Sequence, residues 1–150
     1  MDSFRYVQIL LRYRPRSEGE IRERLSRRGY DSENIKDVIR RLKQCDLIND
    51  LEFAKHWMEY RLSYNPRSKS YTAFELKRKG VSQDIIESVL KDFETVDEND
   101  IALRLAKKKA RNMSKIKDSL TKRRRLYAYL GRRGFSSSVL RETVNSVLNN

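Results

Sequence analysis

The sequence has few of the residues on which most catalytic and metal-binding sites depend. It contains one cysteine (Cys45) and one histidine (His56), which excludes an internal disulfide and the usual Cys/His metal set. It has no P-loop, no Gly-x-Gly-x-x-Gly and no Gly-x-Ser-x-Gly string, so the common nucleotide-binding and acyl-transfer signatures are missing. We therefore expect no metal ion, no cofactor and no enzymatic activity.

Proline, glycine and long apolar runs are scarce too. Two prolines and five glycines, with no Asn-Gly or Asp-Gly turn and no alternating β-branched run, disfavour β-structure and predict an all-α fold. No stretch approaches the roughly 20 apolar residues that a membrane-spanning helix needs, and the first residues lack the pattern of a signal peptide. Together with the lone cysteine, these features lead us to expect a cytoplasmic protein that does not associate with membranes.

What the sequence does contain is a string that recurs three times. Pro-Arg-Ser is followed after seven residues by Leu25, one residue, two cations and Gly29, and the same order returns before Gly80. A third copy lacks Pro-Arg-Ser but keeps Leu130, two arginines and Gly134. The glycines lie 51 and 54 residues apart, and such a period is the signature of a repeat architecture.

Each copy carries end signals for two helices, one on either side of its glycine. Ser17 and Glu20 have the spacing of a capping box that starts one helix. Gly29 can adopt the left-handed backbone conformation that ends this helix. Tyr30 and Ile35 have the spacing of a hydrophobic staple for the next helix. The equivalent pairs in the later copies are Val81 with Ile86 and Phe135 with Leu140.

A further helix precedes each of these pairs. It is predicted near residues 4–13 in the first copy, after the Asn49–Glu52 capping box in the second, and after Asp97 in the third. Each copy is smaller than a comfortably stable lone core, so neighbouring copies should share buried surface. The predicted fold is three tandem three-helix repeats, at residues 1–46, 47–95 and 96–150.

Positive charge is concentrated in the last third of the chain. The net charge is +13, and residues 97–150 hold 14 Lys/Arg against 5 Asp/Glu, whereas residues 1–96 hold 20 against 16. A field of this sign attracts polyanions, although a charge run can also be only a solvated surface. The candidate polyanion-binding residues are Lys107, Lys108, Lys109, Arg111, Lys122, Arg123, Arg124, Arg125, Arg132 and Arg133. The cations before the first two glycines form a second set, Arg27, Arg28, Arg78 and Lys79.

Several of these residues have a plainer interpretation. The dibasic pairs before the glycines either form a ridge along equivalent positions of the repeats or serve only to oppose the helix dipole. Tyr127 and Tyr129 lie about 200° apart on a helix, so at most one is expected to face a core, and the other can stack on a base or be exposed. Trp57 is expected to fill a core between repeats, and Cys45 to be a small residue near a helix end.

The repeated strings resemble those of the RecX family, regulators of the bacterial RecA recombinase. The sequence departs from the family pattern where Ile21 replaces a frequent Leu, where Asn49 replaces a frequent Asp, and where the third copy lacks Pro-Arg-Ser. The segments that carry the resemblance are Tyr13–Glu18, which leads into Leu25 and Arg28–Tyr30, then Leu47–Ala54, and then Leu76–Val81.

The resemblance implies a fold and a mode of action. It implies three three-helix repeats in a curved, elongated molecule that lies in the groove of the RecA–single-stranded-DNA filament. Separately, we expect the chain to be a monomer. It further implies a non-enzymatic regulator that mainly inhibits the ATPase, recombinase and strand-exchange activities of RecA, with effects on DNA repair and the SOS response. The basic third repeat is expected to contact single-stranded DNA, or alternatively duplex DNA.

The alternative interpretation is a stand-alone helix-turn-helix protein that binds nucleic acid. Residues 17–28 and 31–42 are predicted to be short helices joined by a tight glycine turn, which that motif also shows. Against it, the second helices of the first two pairs carry acids near their N-termini, where a recognition helix should meet DNA. These acids are Glu33, Asp37, Asp84 and Glu87.

Overall fold

The chain folds into helices throughout the part that the structure describes. The computed structural model describes residues 1–149, which form nine α-helices and no strand. This confirms the predicted all-α fold of three three-helix repeats. Among these residues, no helix combines the length and the apolar character required to cross a bilayer. The helices are α1 (Ser3–Tyr13), α2 (Glu18–Arg27), α3 (Ser32–Gln44), α4 (Asp50–Ser63), α5 (Lys69–Arg78), α6 (Gln83–Asp92), α7 (Glu98–Arg111), α8 (Ser119–Arg132) and α9 (Ser137–Leu148).

The predicted caps at the glycine turns are present. The backbone N–H of Glu20 donates to Ser17 Oγ at 3.1 Å, and the Ser17 N–H donates to a Glu20 carboxylate oxygen at 3.2 Å, which completes the capping box of α2. Gly29, Gly80 and Gly134 have φ angles of +95°, +82° and +90°. Residues that carry a side chain rarely adopt this left-handed backbone conformation, whereas glycine adopts it readily. The same kind of glycine turn therefore ends the second helix of all three repeats.

The chain divides into two compact units, of which the first contains Met1–Trp57 and Glu75–Val89. Apolar residues of α1, α2 and α3 form a core at its N-terminal end, together with Ile48. Burying one such side chain fully is worth about 1.5–3 kcal/mol, so this cluster fixes how the first three helices pack. Its buried members are Val7, Ile21, Leu25, Ile35, Val38, Ile39, Leu42 and Ile48.

The second unit contains Met58–Phe74 and the chain from Leu90 onward. In it α7, α8 and α9 pack around one core, and α9 contacts both other helices extensively. The limits of the two units fall within α4, α5 and α6, so the second repeat contributes residues to both units. The units therefore do not coincide with the repeats. The predicted repeat boundaries, at residues 46/47 and 95/96, stay a prediction. The buried core residues are Ile101, Ala102, Leu105, Ala106, Met113, Leu126, Leu130, Phe135 and Val144.

Within the first unit, the start of α2 docks on the second repeat. Ser17 Oγ donates to the Lys79 carbonyl at 2.5 Å, and the Glu18 N–H donates to an Asp50 carboxylate oxygen at 2.8 Å. Gly19 permits this approach, because a Cβ placed there would lie 2.6 Å from the Lys79 carbonyl oxygen. The Pro-Arg-Ser string therefore begins a contact surface between two repeats.

The same contact recurs within the second unit, where the start of α5 docks on the third repeat. The Ser68 N–H donates to the Arg133 carbonyl at 2.9 Å, and the Lys69 N–H donates to a Glu98 carboxylate oxygen at 2.9 Å. A Cβ on Gly134 would lie 2.6 Å from Ser68 Oγ. Each Pro-Arg-Ser string thus leads into a surface that binds the dibasic turn and the first helix of the following repeat.

The two tyrosines of α8 differ from their predicted placement. Tyr127 and Tyr129 are both half-buried and both pack against the core of the second unit, so the prediction that at most one faces a core is wrong. The buried stripe of α8 runs through Leu126 and Leu130, and each tyrosine lies about 80° to one side of its centre. Side chains of this size reach the core from the two flanks of the stripe, although they point in nearly opposite directions.

Candidate functional site

An exposed face of α7 is the main candidate site. The opposite side of this helix is buried in the core of the second unit, which fixes the direction in which the face points. Its four cations occupy positions i, i+3, i+4 and i+7, and all four are exposed. We call it the α7 cationic face, and its members are Arg104, Lys107, Lys108 and Arg111.

Arg104 is absent from the predicted set because it stands apart from the basic run that begins at Lys107. Its spacing of three residues from Lys107 is the signal that places both on one side of a helix. From Arg104 to Arg111 the helix axis rises about 10 Å, which corresponds to about three phosphate spacings along one strand of a duplex. The face can therefore neutralise several negative groups in a row.

Lys109 belongs to the same run but lies in a different environment. Its side chain is half-buried, and its Nζ lies 5.2 Å from the centroid of the Tyr129 ring, which is a cation–π distance. Lys109 therefore links α7 to α8. Arg111, although exposed, also contacts its own helix, because its Nε lies 3.4 Å from the Lys107 carbonyl oxygen.

The basic run at the start of α8 also divides. Arg124 and Arg125 are exposed, whereas Lys122 and Arg123 are half-buried. Arg123 Nη1 donates to Asn145 Oδ1 at 2.7 Å, which ties α8 to α9. The run therefore has two exposed cations, beside one that serves the packing of the unit.

Asp118 sets the position of this run by capping α8. Its carboxylate accepts hydrogen bonds from Thr121 Oγ1 at 2.6 Å and from the Leu120 N–H at 3.2 Å. The Thr121 hydroxyl is the main cause that lowers the pKa of Asp118, and backbone N–H groups and the charge of Arg124 act in the same direction. The cap therefore stays ionised at neutral pH.

The dibasic pair of the first repeat already has partners. Arg27 forms an ion pair with Glu23 at 2.5 Å, one helical turn away. The Arg28 guanidinium lies 4.1 Å from the centroid of the Tyr6 ring on α1. Both cations are exposed at their tips, but each would lose an existing contact on turning toward a ligand.

The pair of the second repeat differs between its two members. Lys79 Nζ lies 4.4 Å from the centroid of the Trp57 ring and 3.5 Å from a Glu20 carboxylate oxygen. Trp57 is half-buried and stacks on Phe53, with ring centroids 6.2 Å apart. Arg78 is more exposed than Lys79, although it too has an interaction within the chain. Lys79 is therefore part of the packing of the first unit.

Glu20 is the acidic centre of this region. Burial disfavours its ionised form, but the Arg14 guanidinium at 2.5 Å, the Ser17 N–H and the charge of Lys79 outweigh that effect and lower the pKa of Glu20. The carboxylate therefore holds the start of α2, the chain before it and the turn after α5 together.

The pair of the third repeat also has two environments. Arg133 Nη1 donates to Asn65 Oδ1 at 2.8 Å and to the Pro66 carbonyl at 3.1 Å, and its guanidinium lies 4.6 Å from the centroid of the Tyr129 ring. Arg132 is exposed on α8, on the side away from the core. Arg132 therefore joins Arg124 and Arg125 as an outward-facing cation.

Three models of one protein family match the chain in succession. The model described as RecX, first three-helix domain, matches residues 9–42, the second three-helix domain matches 49–90, and the third matches 97–144. The chain belongs to the RecX family. The third RecX domain holds the α7 cationic face and the basic run of α8.

Individual RecX proteins agree with this assignment. Regulatory protein RecX of Mycobacterium avium (strain 104) is 37% identical over 135 residues, which are 90% of this chain and 78% of that protein. Regulatory protein RecX of Prosthecochloris aestuarii (strain DSM 271 / SK 413) is 34% identical over 138 residues, with 91% and 87% covered. The crystal structure of RecX from Lactobacillus salivarius has the same fold, with a TM-score of 0.76 at 21% identity over 97% of this chain and 94% of that chain.

Proposed function

We propose that this chain binds in the groove of the RecA–single-stranded-DNA filament and mainly inhibits the ATPase, recombinase and strand-exchange activities of RecA. Its membership of the RecX family supports this function, since its relatives are named regulatory proteins. The α7 cationic face is the observation that carries the proposal, because it offers a polymer of negative groups an exposed row of cations on a well-packed helix. The chain acts by binding, as a cytoplasmic monomer, and so affects DNA repair and the SOS response.

Charge and multiple contacts explain how such binding works. Each cation that neutralises a phosphate releases a counterion, so the affinity rises as the salt concentration falls. The α7 cationic face supplies four cations, and Arg124, Arg125 and Arg132 add three on α8. Contacts on one chain reinforce each other through effective concentration. A higher affinity for one filament conformation shifts the filament toward that conformation.

The remaining candidates differ in how free they are to bind. A cation that already holds a contact within the chain must give it up, so we expect it to add less to binding than an exposed one. The candidates with such contacts are Lys109, Arg123, Arg133, Arg27, Arg28, Arg78 and Lys79, together with Arg111, whose contact is to its own helix.

The helix-turn-helix alternative finds less support. Its recognition helices would be α3 and α6, and both carry exposed acids in their first two turns. Acids at that end repel DNA phosphates, which a recognition helix must approach. Sequence-specific binding to duplex DNA in a gel shift at fixed salt, without RecA, would favour the alternative.

The test of the proposal is the ATPase activity of the cognate RecA on single-stranded DNA as the protein is titrated in. We expect the rate to fall as the protein rises and to reach a plateau. An ATPase rate unchanged at saturating protein would contradict the proposal. A parallel strand-exchange assay separates a loss of turnover from a block of pairing.

The site is tested with the quadruple variant Arg104→Gln, Lys107→Gln, Lys108→Gln, Arg111→Gln. A matched control removes the same charge from exposed cations elsewhere, through Arg5→Gln, Arg12→Gln, Lys77→Gln and Lys91→Gln. We expect the first variant to need about tenfold more protein for half-inhibition, and the control to stay within about threefold of wild type. Equal losses in the two variants would show that net charge, and not this face, controls binding.

A further inference from the structure

One stretch of the second repeat combines aromatic rings with positive charge. The chain has eight tyrosines, five phenylalanines and one tryptophan, and four of these 14 rings lie within residues 60–74. The same stretch holds three cations and no acid, and Glu59 and Glu75 bound it. We call residues 60–74 the aromatic segment. It runs from the last turn of α4 into α5, within the second unit, and it includes none of the cations proposed above to meet phosphates.

Most rings of the aromatic segment are exposed. Tyr64 is 67% exposed, Phe74 is 55% exposed and Tyr60 is 49% exposed. The ring centroids of Tyr60 and Tyr64 lie 5.8 Å apart, which is a usual separation for neighbouring aromatic rings. Exposed apolar side chains are ordinary when they are scattered singly, whereas a group of them indicates a binding surface.

The main chain fixes the position of the tyrosine pair. The Tyr64 N–H donates to the Tyr60 carbonyl at 2.7 Å, which extends the bonding pattern of α4 by one residue and places the two rings on one side. The turn that follows is bonded to α8, because Arg133 Nη1 donates to Asn65 Oδ1 at 2.8 Å and to the Pro66 carbonyl at 3.1 Å. The pair is therefore already in place before a ligand binds, which lowers the entropic cost of binding.

Cations lie beside the rings. The Arg61 guanidinium lies 6.0 Å from the centroid of the Tyr60 ring, and the Arg67 guanidinium lies 4.9 Å from the centroid of the Tyr71 ring. Arg67 Nη1 also donates to the Arg132 carbonyl at 3.1 Å, which holds this charge close to the segment. With no acid among residues 60–74, the rings lie in a positive field that attracts a polyanion.

Single-stranded nucleic acid fits this surface better than a segment of protein does. Proteins that bind single strands combine aromatic rings, on which bases stack, with cations that follow the backbone. Protein interfaces also use tyrosine and arginine, but their centres contain aliphatic side chains as well. The one leucine of the aromatic segment, Leu62, packs against the core of the second unit, so the large apolar side chains that the segment exposes are all rings.

We propose that the aromatic segment binds single-stranded nucleic acid by stacking bases on Tyr60 and Tyr64, with its cations attracting the phosphates. The inference extends the proposed function, from which it takes single-stranded DNA as the polymer. It adds a contact to bases in the second repeat, whereas the α7 cationic face lies in the third repeat and meets phosphates. Since every base has a flat face, the contact requires bases but no particular sequence.

The probes are two fluorescein-labelled oligonucleotides of equal length, oligo-dT and the same sugar-phosphate chain without bases. Fluorescence anisotropy against the full chain at fixed salt measures both affinities, and because the two carry the same charge, their difference reports on the bases. The test variants are Tyr64→Leu and the double variant Tyr60→Leu, Tyr64→Leu, which remove rings without changing charge. The matched control is Tyr13→Leu, because Tyr13 is 81% exposed and lies in the first repeat.

We expect wild type to bind oligo-dT at least about tenfold more tightly than the chain without bases. Tyr64→Leu should weaken oligo-dT binding about tenfold and the double variant should weaken it further, whereas Tyr13→Leu should stay within about twofold of wild type. The salt dependence should be the same in all variants, since none of them removes a cation. Equal affinities of wild type for the two oligonucleotides, or equal losses in Tyr64→Leu and Tyr13→Leu, overturn the proposal.

Two further measurements keep the experiment decisive. The comparison of the two oligonucleotides on wild-type protein needs no variant, so it can overturn the proposal even if a leucine variant is poorly folded. Tyr64→Phe keeps the ring and should bind oligo-dT within about twofold of wild type, and a tenfold loss in this variant contradicts stacking.

The outcome is distinguishable from that of the ATPase test, because the oligonucleotide assays contain no RecA. Wild-type protein that inhibits the RecA ATPase, together with a double variant that binds oligo-dT normally, overturns this inference and leaves the proposed function standing. A double variant that binds oligo-dT normally but no longer inhibits the ATPase also overturns it, and assigns the rings to a protein partner instead.

Discussion

Gly19 and Gly80 lie in backbone contact, since a Cβ built on Gly80 would lie 2.9 Å from the Cα of Gly19. A Cβ on Gly19 would in turn lie 2.6 Å from the Lys79 carbonyl oxygen. Backbone atoms cannot rotate aside as the end of a long side chain can, so a methyl group at either position forces the two segments apart. The hydrogen bond from Ser17 Oγ to the Lys79 carbonyl lies in the same contact and would stretch with it.

We predict that Gly19→Ala destabilises the first unit by about 1–3 kcal/mol, because of overpacking against backbone. Gly131→Ala is the matched control, because Gly131 lies in α8 and its Cβ would have no neighbour closer than 4.0 Å. Alanine is the better helix former, so this control should be stabilised by about 0.5–1 kcal/mol. Urea unfolding followed by circular dichroism measures both, and equal stabilities would contradict the packing described here.

We predict that the stability of the first unit depends on pH through the carboxylate of Glu20. Its folded-state pKa lies below its ordinary value, so its ionised form contributes stability above about pH 4.3, and that contribution is lost as the pH falls through the folded pKa. We expect Glu20→Gln to cost about 1–2 kcal/mol at pH 7, and the difference from wild type to shrink below about pH 4.

The control for Glu20 is Glu23→Gln on the same helix. The Glu23 side chain is 60% exposed against 14% for Glu20, and it pairs with Arg27 at the surface. Such a pair is worth little in water, so this variant should stay within about 0.5 kcal/mol of wild type at all pH values. Urea midpoints across a pH series decide the matter, and a gap for Glu20→Gln that stays constant down to acid pH would refute the proposed cause.

Adjacent arginines in the third repeat should respond differently to truncation. Arg133→Ala removes hydrogen bonds to Asn65 and to the Pro66 carbonyl and a contact with the Tyr129 ring, so we expect a loss of about 1–2 kcal/mol. Arg132→Ala should change stability by less than about 0.5 kcal/mol. For a unit of this size 1 kcal/mol shifts the melting temperature by about 4–8 °C, which thermal unfolding resolves. Similar melting temperatures for the two variants would argue against the structural role of Arg133.

The α7 cationic face makes a prediction about salt. If its residues meet phosphates, the logarithm of the affinity for oligo-dT falls with the logarithm of the salt concentration by about 0.7 for each phosphate contact. The quadruple glutamine variant of the face should therefore show a slope shallower by about 2–3, whereas the matched control keeps the wild-type slope. Anisotropy titrations at four salt concentrations measure it, and an unchanged slope would show that the face does not contact DNA.

The helices and their ends could be predicted from the sequence with little loss. The capping box of Ser17 and Glu20 and the left-handed glycines are signals between residues a few positions apart, and they act whatever the rest of the chain does. The placement of Tyr127 and Tyr129 was beyond the same reasoning. A helical wheel gives the direction of a side chain but not the width of the surface that packs on the helix.

The candidate site was predicted only in outline. The basic character of the third repeat follows from its composition. Arg104, however, lies outside the basic runs from which the candidates were predicted. Three predicted candidates, Lys109, Arg123 and Arg133, instead hold contacts within the chain. Which cation of a run becomes a packing residue depends on whether a ring or an amide from another helix lies within reach. That information is absent from the run itself.

The sequence by itself determined that this chain is a series of three helical triplets with a basic last member, because periodicity, caps and charge are local properties of the chain. Only the tertiary structure decided what the Pro-Arg-Ser strings do and which cations stay exposed. The bond between Ser17 and Lys79 spans 62 positions, and that between Arg133 and Asn65 spans 68. Contacts at such separations form only when helices pack, and the packing depends on the whole set of buried side chains.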